Sequence, residues 1–328
     1  MRADEIIYPT DQGLYCAPGD FYIDPLTPVP HALVTHGHSD HARPGHGSVT
    51  ATRQTLDIMA IRYGADFTTN RIIADGPLRI GQTTVSFHPA GHVLGSAQIL
   101  VTPDDGPRIL ISGDYCRTPN PVCAPWERVD CDIFITEATF GLPVFRHPDP
   151  MGEIGRLLAS MAEFPARPHL VGAYALGKAQ RVIALARAAG YARPIAVHGA
   201  LRRLCDYHIS QGVDLGELVA VGEGEAQLVL APPSAFAATW VQRFRDPVLS
   251  YASGWMTVRA RARQRRVELP LVISDHVDWP QVTQTIRDLS PQEVWITHGS
   301  EEGLMRWCEL HQIPARPLRL VGYDEEAE

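Results

Sequence analysis

The segment HGHSDH (residues 36–41) places four side chains of metal-ligand type in six positions, directly after the apolar run HALVT. If this run is a β-strand that ends at His36, then His36 and His38 face the same side of an extended segment. Asp40 and His41 then begin the next helix and point elsewhere. Two ligand pairs on divergent faces suit two metal ions rather than one, and a polar, histidine-rich turn is the alternative.

Further ligand-type side chains stand beside other predicted strands. His92 lies between glycines in PAGHVLGSAQ, Asp114 ends RILISGD, and His298 ends EVWITHG. Catalytic groups collect at strand ends because the loops there leave the hydrogen-bonded ladder yet keep a rigid base. Each of these residues alone could be an ordinary loop residue, but together they complete two coordination spheres. The predicted ligands are His36, His38 and His92 for one ion, Asp40, His41 and His298 for the other, and Asp114 as the bridge.

The ligand types indicate the ion and the reaction. Neutral imidazoles and carboxylates suit zinc, with manganese as an acceptable alternative. Each ion keeps an open position, so the site is predicted to be catalytic rather than structural. Two ions about 3.5–4 Å apart lower the pKa of a bridging water and stabilise the negative charge that develops during its attack. The predicted chemistry is therefore hydrolysis.

The order of elements along the chain predicts an α/β protein with an inserted module. Up to about residue 140, short β-rich runs such as DFYID, TVSFHPA, SAQILVT and DIFITEAT are separated by Gly, Pro and Asp. From about residue 150, helical segments alternate with apolar strands. After ELPLVISDH the sequence pattern of the first 140 residues returns. A chain of 328 residues can bury one large core or two moderate ones.

Composition narrows the class of protein. The N-terminal residues carry acids and no apolar stretch of the signal-peptide kind, and no apolar run approaches the ~20 residues of a membrane span. We therefore expect a soluble, cytoplasmic protein with no membrane partner. The six cysteines are scattered without a C-x-x-C pair, which indicates buried thiols rather than a zinc-binding or disulfide framework.

Basic groups indicate where a polyanion could bind, although the formal net charge is -8. In the segment RARARQRR (residues 259–266), an extended conformation puts Arg259, Arg261, Arg263 and Arg265 on one face, as a nucleic-acid backbone requires. A solvated edge strand guarded by charge is the alternative. Lys178 follows Gly177 at a predicted helix start, where its ammonium and the helix N-terminus could both meet an anion. Its alternative is a solvent-facing lysine.

These motifs resemble those of a known family. HGHSDH has the H-x-H-x-D-H signature of the metallo-β-lactamase superfamily. The remaining motifs of that superfamily are resembled, in the expected order, by the segments that contain Asp24, His92, Asp114 and His298. Glu137 in TEATFG, together with SDHVD (274–278) and ALGKAQ (175–180), resembles motifs of the β-CASP nuclease branch. The segments GLYCAPGDFYIDP, SDHVDW and GWM are most similar to the bacterial ligase-associated DNA exonucleases, which are also described as relatives of messenger-RNA 3′-end processing factors.

The resemblance implies a fold and an activity. It implies a four-layered αββα fold over residues 1–145 and 271–328, with an inserted α/β β-CASP domain over residues 146–270. It also implies a two-metal DNA exonuclease that trims strands from 5′ to 3′ in DNA end processing and repair. An ATP-dependent DNA ligase and a helicase are the implied partners.

The same resemblance implies roles for individual residues. His276 would contact the scissile phosphate and help to protonate the leaving oxygen. Glu137 would orient that imidazole, and Asp24 would fix the tautomer of a ligand histidine, with a turn-forming Asp before proline as the alternative. The set assigned to catalysis is Asp40, His276, Glu137 and Asp24, and the set assigned to substrate binding is Lys178, Arg259, Arg261 and Arg263.

Two other functions stay open. Histidine at position 298 is typical of RNA-acting members of the branch, so an RNA-processing endo- or exonuclease is the alternative within the nuclease class. A small-molecule esterase or thioesterase could use the same metal core. A short lid is expected in such an enzyme, whereas this chain carries a long inserted module and the SDHVD segment.

Overall fold

The computed structural model describes residues 1–223, 226–236 and 239–318. The chain forms two compact units. The first comprises Met1–Pro119, Cys123–Arg146 and the segment from His276 onward, and the second comprises Asn120–Val122 and His147–Asp275. The assignment of 1–145 and 271–328 to one domain and of 146–270 to an inserted domain stays a prediction. Residues 319–328 of its last segment lie outside the described residues.

Helices and strands follow one another in the α/β pattern that was expected. The strands are β1 (Ile7–Thr10), β2 (Gly13–Cys16), β3 (Phe21–Ile23), β4 (His31–Leu33), β5 (His46–Ala51), β6 (Thr68–Ile73), β7 (Leu78–Ile80), β8 (Thr83–Pro89), β9 (Ala97–Pro103), β10 (Ile109–Ile111), β11 (Ile133–Ala138), β12 (His169–Gly172), β13 (Ile195–Val197), β14 (Leu218–Ala220), β15 (Leu228–Ala231), β16 (Val248–Ala252), β17 (Leu269–Leu271), β18 (Glu293–Gly299) and β19 (Ala315–Pro317). The helices are α1 (Ala3–Ile6), α2 (Arg53–Tyr63), α3 (Pro150–Glu163), α4 (Lys178–Ala188), α5 (Gly199–Ser210), α6 (Pro233–Phe236), α7 (Arg259–Gln264), α8 (Trp279–Leu289) and α9 (Glu301–Leu310), with short 3₁₀ turns at Thr239–Arg243 and Gly254–Thr257.

The first unit contains two mixed sheets. One has the order β1-β2-β3-β4-β5-β6, with antiparallel pairing as far as β3 and parallel pairing beyond it. The other has the order β19-β18-β11-β10-β9-β8-β7, and its strands β19, β18, β11 and β10 run parallel. Parallel neighbours bring their carboxyl ends to the same edge of a sheet, so side chains that follow these strands can meet there.

Apolar residues of the first unit bury both faces of both sheets. Leu14 and Leu33 of one sheet share a buried cluster with Ile99 and Ile135 of the other. The opposite face of the first sheet packs against α2, and the opposite face of the second packs against α8 and α9. Burial of this apolar surface stabilises the scaffold that holds the strand ends in place.

The second unit is a parallel sheet with the order β14-β13-β15-β12-β16-β17. All residues of β12 and β15 are buried, as is usual for parallel strands covered on both faces. Helices α3, α4 and α5 contribute to the cluster on one face of this sheet. Residues 178–186 of α4 are all buried, which shows that this helix is enclosed by the unit.

Two local predictions are wrong. Asp40 and His41 do not begin a helix, since the chain makes a single turn in which the amides of His41 and Ala42 donate to the His38 carbonyl. Pro44 ends that turn because it has no N–H and disfavours helical geometry in the residue before it. Residues 259–264 form α7 instead of an extended segment. In a helix, side chains two positions apart point to nearly opposite sides, so the predicted single row of arginines does not form.

No helix among the described residues is long and apolar enough to cross a membrane.

Candidate active site

Four predicted ligands converge in the first unit. His36, His38, His92 and Asp114 each offer one ligand atom, and these atoms lie within 4.8 Å of one another. His36 Nε2 and His92 Nε2 are both 3.1 Å from His38 Nδ1. Asp114 Oδ2 is 3.4 Å from His36 Nε2 and 3.7 Å from His92 Nε2. Ring nitrogens that face one another in this way present their lone pairs to a common centre.

Asp114 also faces a second predicted ligand. Its other oxygen, Oδ1, lies 3.5 Å from His41 Nε2, and Asp40 Oδ2 lies 3.8 Å from the same nitrogen. The two carboxylate oxygens of Asp114 therefore point to the two predicted ligand sets, which is the placement required of a bridge.

The second predicted ligand set is gathered less closely. The ring centroids of His41 and His298 are 5.3 Å apart. Among the described residues, the sets whose ligand atoms all lie within 4.8 Å of one another do not include Asp40, His41 or His298. The structure thus brings these three residues to the same edge without closing them around one point.

Asp24 holds ligand histidines on both sides of Asp114. Its Oδ2 is 2.8 Å from His41 Nδ1, while Thr35 donates to Asp24 from both its amide (2.8 Å) and its hydroxyl (2.6 Å). Because the Thr35 hydroxyl gives its proton to Asp24, its oxygen can accept from His36 Nδ1 at 3.1 Å. Both imidazoles then carry their proton on Nδ1 and keep the Nε2 lone pair for a ligand.

The strands explain why residues so far apart in sequence meet. Asp24 follows β3, residues 36–41 follow β4, and β3 pairs with β4 in parallel. Asp114 follows β10, Glu137 lies near the end of β11, and His298 lies near the end of β18, and these strands are parallel neighbours. The carboxyl ends of the two parallel strand groups supply most of the site.

Two glycines allow the loops to approach closely. Gly113 has φ 54°, and a Cβ there would lie 2.8 Å from the Cβ of Thr35. Gly91 has φ 76°, and its Cβ would collide with the Cys116 carbonyl oxygen. Only glycine adopts these conformations without strain, so the two positions set the paths of the Asp114 and His92 loops.

The electrostatics of the site favour a bound cation. Burial lowers the pKa of His36 well below its usual value and lowers that of His298 to about 3, so both rings are neutral near pH 7. Burial alone would also lower the pKa of His41, but the Asp114 and Asp40 carboxylates raise it to about 10. These carboxylates therefore stabilise a positive charge at this point, and a divalent ion would supply that charge instead.

His276 and Glu137 form a pair beside the ligand cluster. His276 Nδ1 lies 2.9 Å from Glu137 Oε2 and 4.0 Å from Asp114 Oδ2. The buried Glu137 also accepts from the Tyr115 amide (2.9 Å) and the Thr139 hydroxyl (2.6 Å). Its carboxylate is therefore fixed, and it leaves the Nε2 atom of His276 for other partners.

The donor set fits divalent metal ions. Three imidazoles and one carboxylate match the preferences of zinc, and a carboxylate whose two oxygens face different ligand sets suits a pair of ions. The candidate metal-binding cluster predicted from the spacing is thus present among the described residues.

Lys178 has a different setting from the one expected of a solvent-facing lysine. It is 2% exposed and pairs with the buried Asp275, within the second unit. Arg181, one helical turn further on, is fully buried and donates to the Ser274 carbonyl. The start of α4 therefore binds residues 274 and 275 directly.

The predicted arginines lie on α7 of the second unit. Arg259 and Arg263 are exposed and lie one turn apart on α7, while the Arg261 guanidinium lies 3.7 Å above the Trp255 ring. The structure therefore brings Arg259 and Arg263 to one face of α7 but places Arg261 on another.

Sequence reasoning missed Thr35, Thr139 and Arg181. Thr35 stands directly before the first ligand histidine, and Thr139 stands two residues after Glu137. A hydroxyl next to a ligand or a catalytic carboxylate is a usable signal because such groups commonly orient them. Nothing in the sequence indicated that Arg181 is buried, since arginine is rarely enclosed in this way.

Comparison with known proteins supports the resemblance. No protein-family model matches the sequence. The "Probable DNA ligase" of Opitutus terrae is 25% identical over 320 residues, which span 90% of this chain but 30% of that protein. The "Endoribonuclease ysh1" of Emericella nidulans is 34% identical over 110 residues, which span 32% of this chain and 12% of that protein.

One solved structure is similar in fold over most of this chain. It is a protein of unknown function from Enterococcus faecalis V583, with a TM-score of 0.59 and 13% identity over 88% of this chain and 79% of that one. This likeness concerns the fold alone. The motifs and these relatives support a relationship to the β-CASP nucleases of the metallo-β-lactamase superfamily.

Proposed function

We propose that this protein is a metal-dependent phosphodiesterase that acts as a DNA exonuclease, trimming strands from 5′ to 3′ in DNA end processing and repair. The observation that carries the proposal is the Asp114 carboxylate, which faces His36 and His92 with one oxygen and His41 with the other. The His276–Glu137 pair stands next to it. The 25% identical relative that spans most of this chain is named as a DNA ligase, which favours DNA.

The proposal includes a fold and a cofactor. The first unit would be the four-layered metallo-β-lactamase domain and the second the β-CASP insert. His36, His38, His92 and Asp114 would hold one zinc ion, and Asp40, His41 and His298 would hold a second that shares Asp114, with manganese as a substitute. Bound in this way, the two ions supply activation of the attacking water and stabilisation of the charge on the phosphate.

The protein's own groups have separate tasks in the proposed reaction. His276 protonates the leaving oxygen from Nε2, because its Nδ1 is bonded to Glu137. Asp24 and Thr35 hold the proton of the ligand histidines His41 and His36 on Nδ1. Asp40 adds a second carboxylate, besides Asp114, next to His41 Nε2. Lys178 influences substrate binding only through Asp275, because the Asp275 carboxylate holds its ammonium group. Arg259, Arg261 and Arg263 contribute positive charge for the strand.

A second candidate is an endoribonuclease. The 34% identical relative that carries this name favours it. The protein would then use the same groups on RNA, and a ligase or helicase partner would lose its rationale.

Release of labelled nucleotides tests the proposal. The substrates are single-stranded DNA, duplex DNA and RNA, each labelled at the 5′ or the 3′ end, with zinc or manganese. We expect label to leave the 5′ end of DNA first, and His38→Ala and Asp40→Ala to lose activity. His31→Ala, which changes an exposed histidine outside the cluster, is the matched control. Full activity of His38→Ala would defeat the metal assignment, and cleavage of RNA alone would replace DNA by RNA as the substrate.

A further inference from the structure

The segment from Val258 to Val267 concentrates positively charged side chains in a protein whose net charge is negative. It carries five arginines, and no acidic residue lies between Ser250 and Val267. Arg259, Arg263, Arg265 and Arg266 are exposed, and none of them has an ion pair within the described part of the chain. Some exposed arginines elsewhere, such as Arg202, pair with carboxylates, whereas others, such as Arg193 and Arg203, have no such pair among the described residues. What distinguishes residues 259–266 is that four exposed arginines lie within eight positions. Like charges so close together repel one another, and a polyanionic ligand would relieve that repulsion.

Helical geometry divides the arginines into two sets. Arg261 lies over the Trp255 ring at 3.7 Å and Arg265 over the Tyr251 ring at 4.6 Å, so both guanidinium groups are held against the protein. Arg259 and Arg263 are one helical turn apart and point to solvent. The stacked pair thus fixes the helix, while the exposed set remains available to a ligand.

Arg266 keeps its charge in a backbone conformation that favours glycine. Its φ is 53°, its amide donates to the Arg263 carbonyl (3.0 Å), and the Val267 amide donates to the Ala262 carbonyl (3.0 Å). This is the helix-ending arrangement in which glycine is usual, and another residue costs about 1 kcal/mol there. Arginine at this position therefore lowers the stability of the folded state, and its side chain extends the exposed positive surface.

We propose that Arg259, Arg263 and Arg266 bind consecutive phosphates of a single DNA strand, and this rests on the nuclease function proposed above. Guanidinium groups bind phosphate through paired N–H donors. The remaining exposed side chains of α7, Ala260 and Gln264, are small or polar. A helix that enters a membrane surface needs large apolar residues on one face, so a lipid surface is disfavoured.

Salt-dependent binding tests this surface. The probe is a single-stranded oligodeoxynucleotide with phosphorothioate linkages that resist cleavage, and its affinity for the full chain is measured by fluorescence anisotropy. Each lost arginine contact should reduce the slope of log K against log salt by ~0.7. The variant Arg259→Ala/Arg263→Ala should therefore lose about twice as much slope as Arg266→Gly, and Arg202→Ala should bind like the unaltered protein.

Arg266→Gly separates binding from folding. Because glycine relieves the backbone strain, this variant should unfold at the same or a higher temperature while it binds DNA more weakly. Unchanged affinity and salt slope in all the arginine variants would overturn the proposal, as would equal weakening by Arg202→Ala. Tight binding of only RNA or only anionic vesicles would overturn the choice of DNA.

A second assay tests the proposed nuclease function independently of DNA binding. Hydrolysis of bis(p-nitrophenyl) phosphate by the unaltered protein reports phosphodiesterase chemistry without a strand to bind. Loss of DNA affinity in the arginine variants together with no hydrolysis would sustain the surface and reject the nuclease. Hydrolysis together with unchanged DNA affinity would do the reverse.

Discussion

Replacing Asp24 by asparagine should weaken metal binding without removing any metal ligand. The variant keeps one oxygen to accept from Thr35, but its amide group cannot accept the Nδ1 proton of His41. His41 then loses its 2.8 Å charge-assisted bond, and its proton is free to move to Nε2, the atom that faces Asp114. Outer partners of this kind are worth about 10- to 100-fold in metal affinity, or about 1.4–2.7 kcal/mol.

Thr35→Val provides a graded comparison. Valine removes the hydroxyl that links Asp24 to His36 Nδ1, yet it leaves the bond between Asp24 and His41 in place. The neutral 3.1 Å bond to His36 is lost, so the effect on the ion near His36 should be about 0.5–1.5 kcal/mol. The 2.6 Å bond from the hydroxyl to Asp24 is lost as well, but the Thr35 amide (2.8 Å) and His41 (2.8 Å) still hold that carboxylate. Asp24→Asn should affect both ions, whereas Thr35→Val should affect one.

Metal content and competition with a coloured chelator measure these affinities, and circular dichroism checks that each variant is folded. Asp130→Asn, at an exposed carboxylate, is the control and should match the unaltered protein. The reasoning is refuted if Asp24→Asn retains both ions with unchanged affinity. It is also refuted if Thr35→Val weakens both ions as much as Asp24→Asn does.

Three further predictions address other groups. Glu137→Gln should lower kcat roughly 10- to 100-fold with metal content unchanged, because a hydrogen bond to a charged group is worth about 1.5–3 kcal/mol. Single-turnover cleavage measures this change. A kcat like that of the unaltered protein would exclude a role for the His276–Glu137 pair. Lys178→Met should lower the free energy of unfolding by about 3–5 kcal/mol, since it leaves the Asp275 carboxylate buried without its ammonium partner. In urea unfolding, Lys178→Met/Asp275→Leu should recover most of that loss, and a single variant as stable as the unaltered protein would contradict the pairing. Burial lowers the pKa of His208, so the unfolded state binds more protons below its ordinary pKa of ~6.5 and stability should fall as the pH drops through that value. His208→Leu should reduce this loss between pH ~7.5 and ~5 in urea unfolding, and an identical loss in both proteins would argue against it.

The sequence was most informative where residue type and strand end coincide. The ligand spacing in residues 36–41 and the positions of His92 and Asp114 predicted a cluster that the structure contains. This succeeded because a β-strand fixes both the direction and the end point of a short apolar run.

Predictions failed where the backbone choice depended on weak local preferences. The alternation of arginine with alanine in residues 259–264 fits a strand by period, but alanine is the strongest helix former and the segment is helical. The expected helix at Asp40 was prevented by Pro44. The burial of Lys178 and the link through Thr35 depend on contacts between distant elements, which a single sequence does not display.

The position of β18 in its sheet has a consequence for folding. This strand lies between β11 and β19, and it delivers His298, although it comes more than a hundred residues after β11 in the chain. Pairings of such long sequence separation form slowly because the loop must close before the contact stabilises it. During synthesis the sheet therefore stays open beside β11 until β18 emerges. A strand edge is exposed during that interval, so aggregation competes with the step that completes the site.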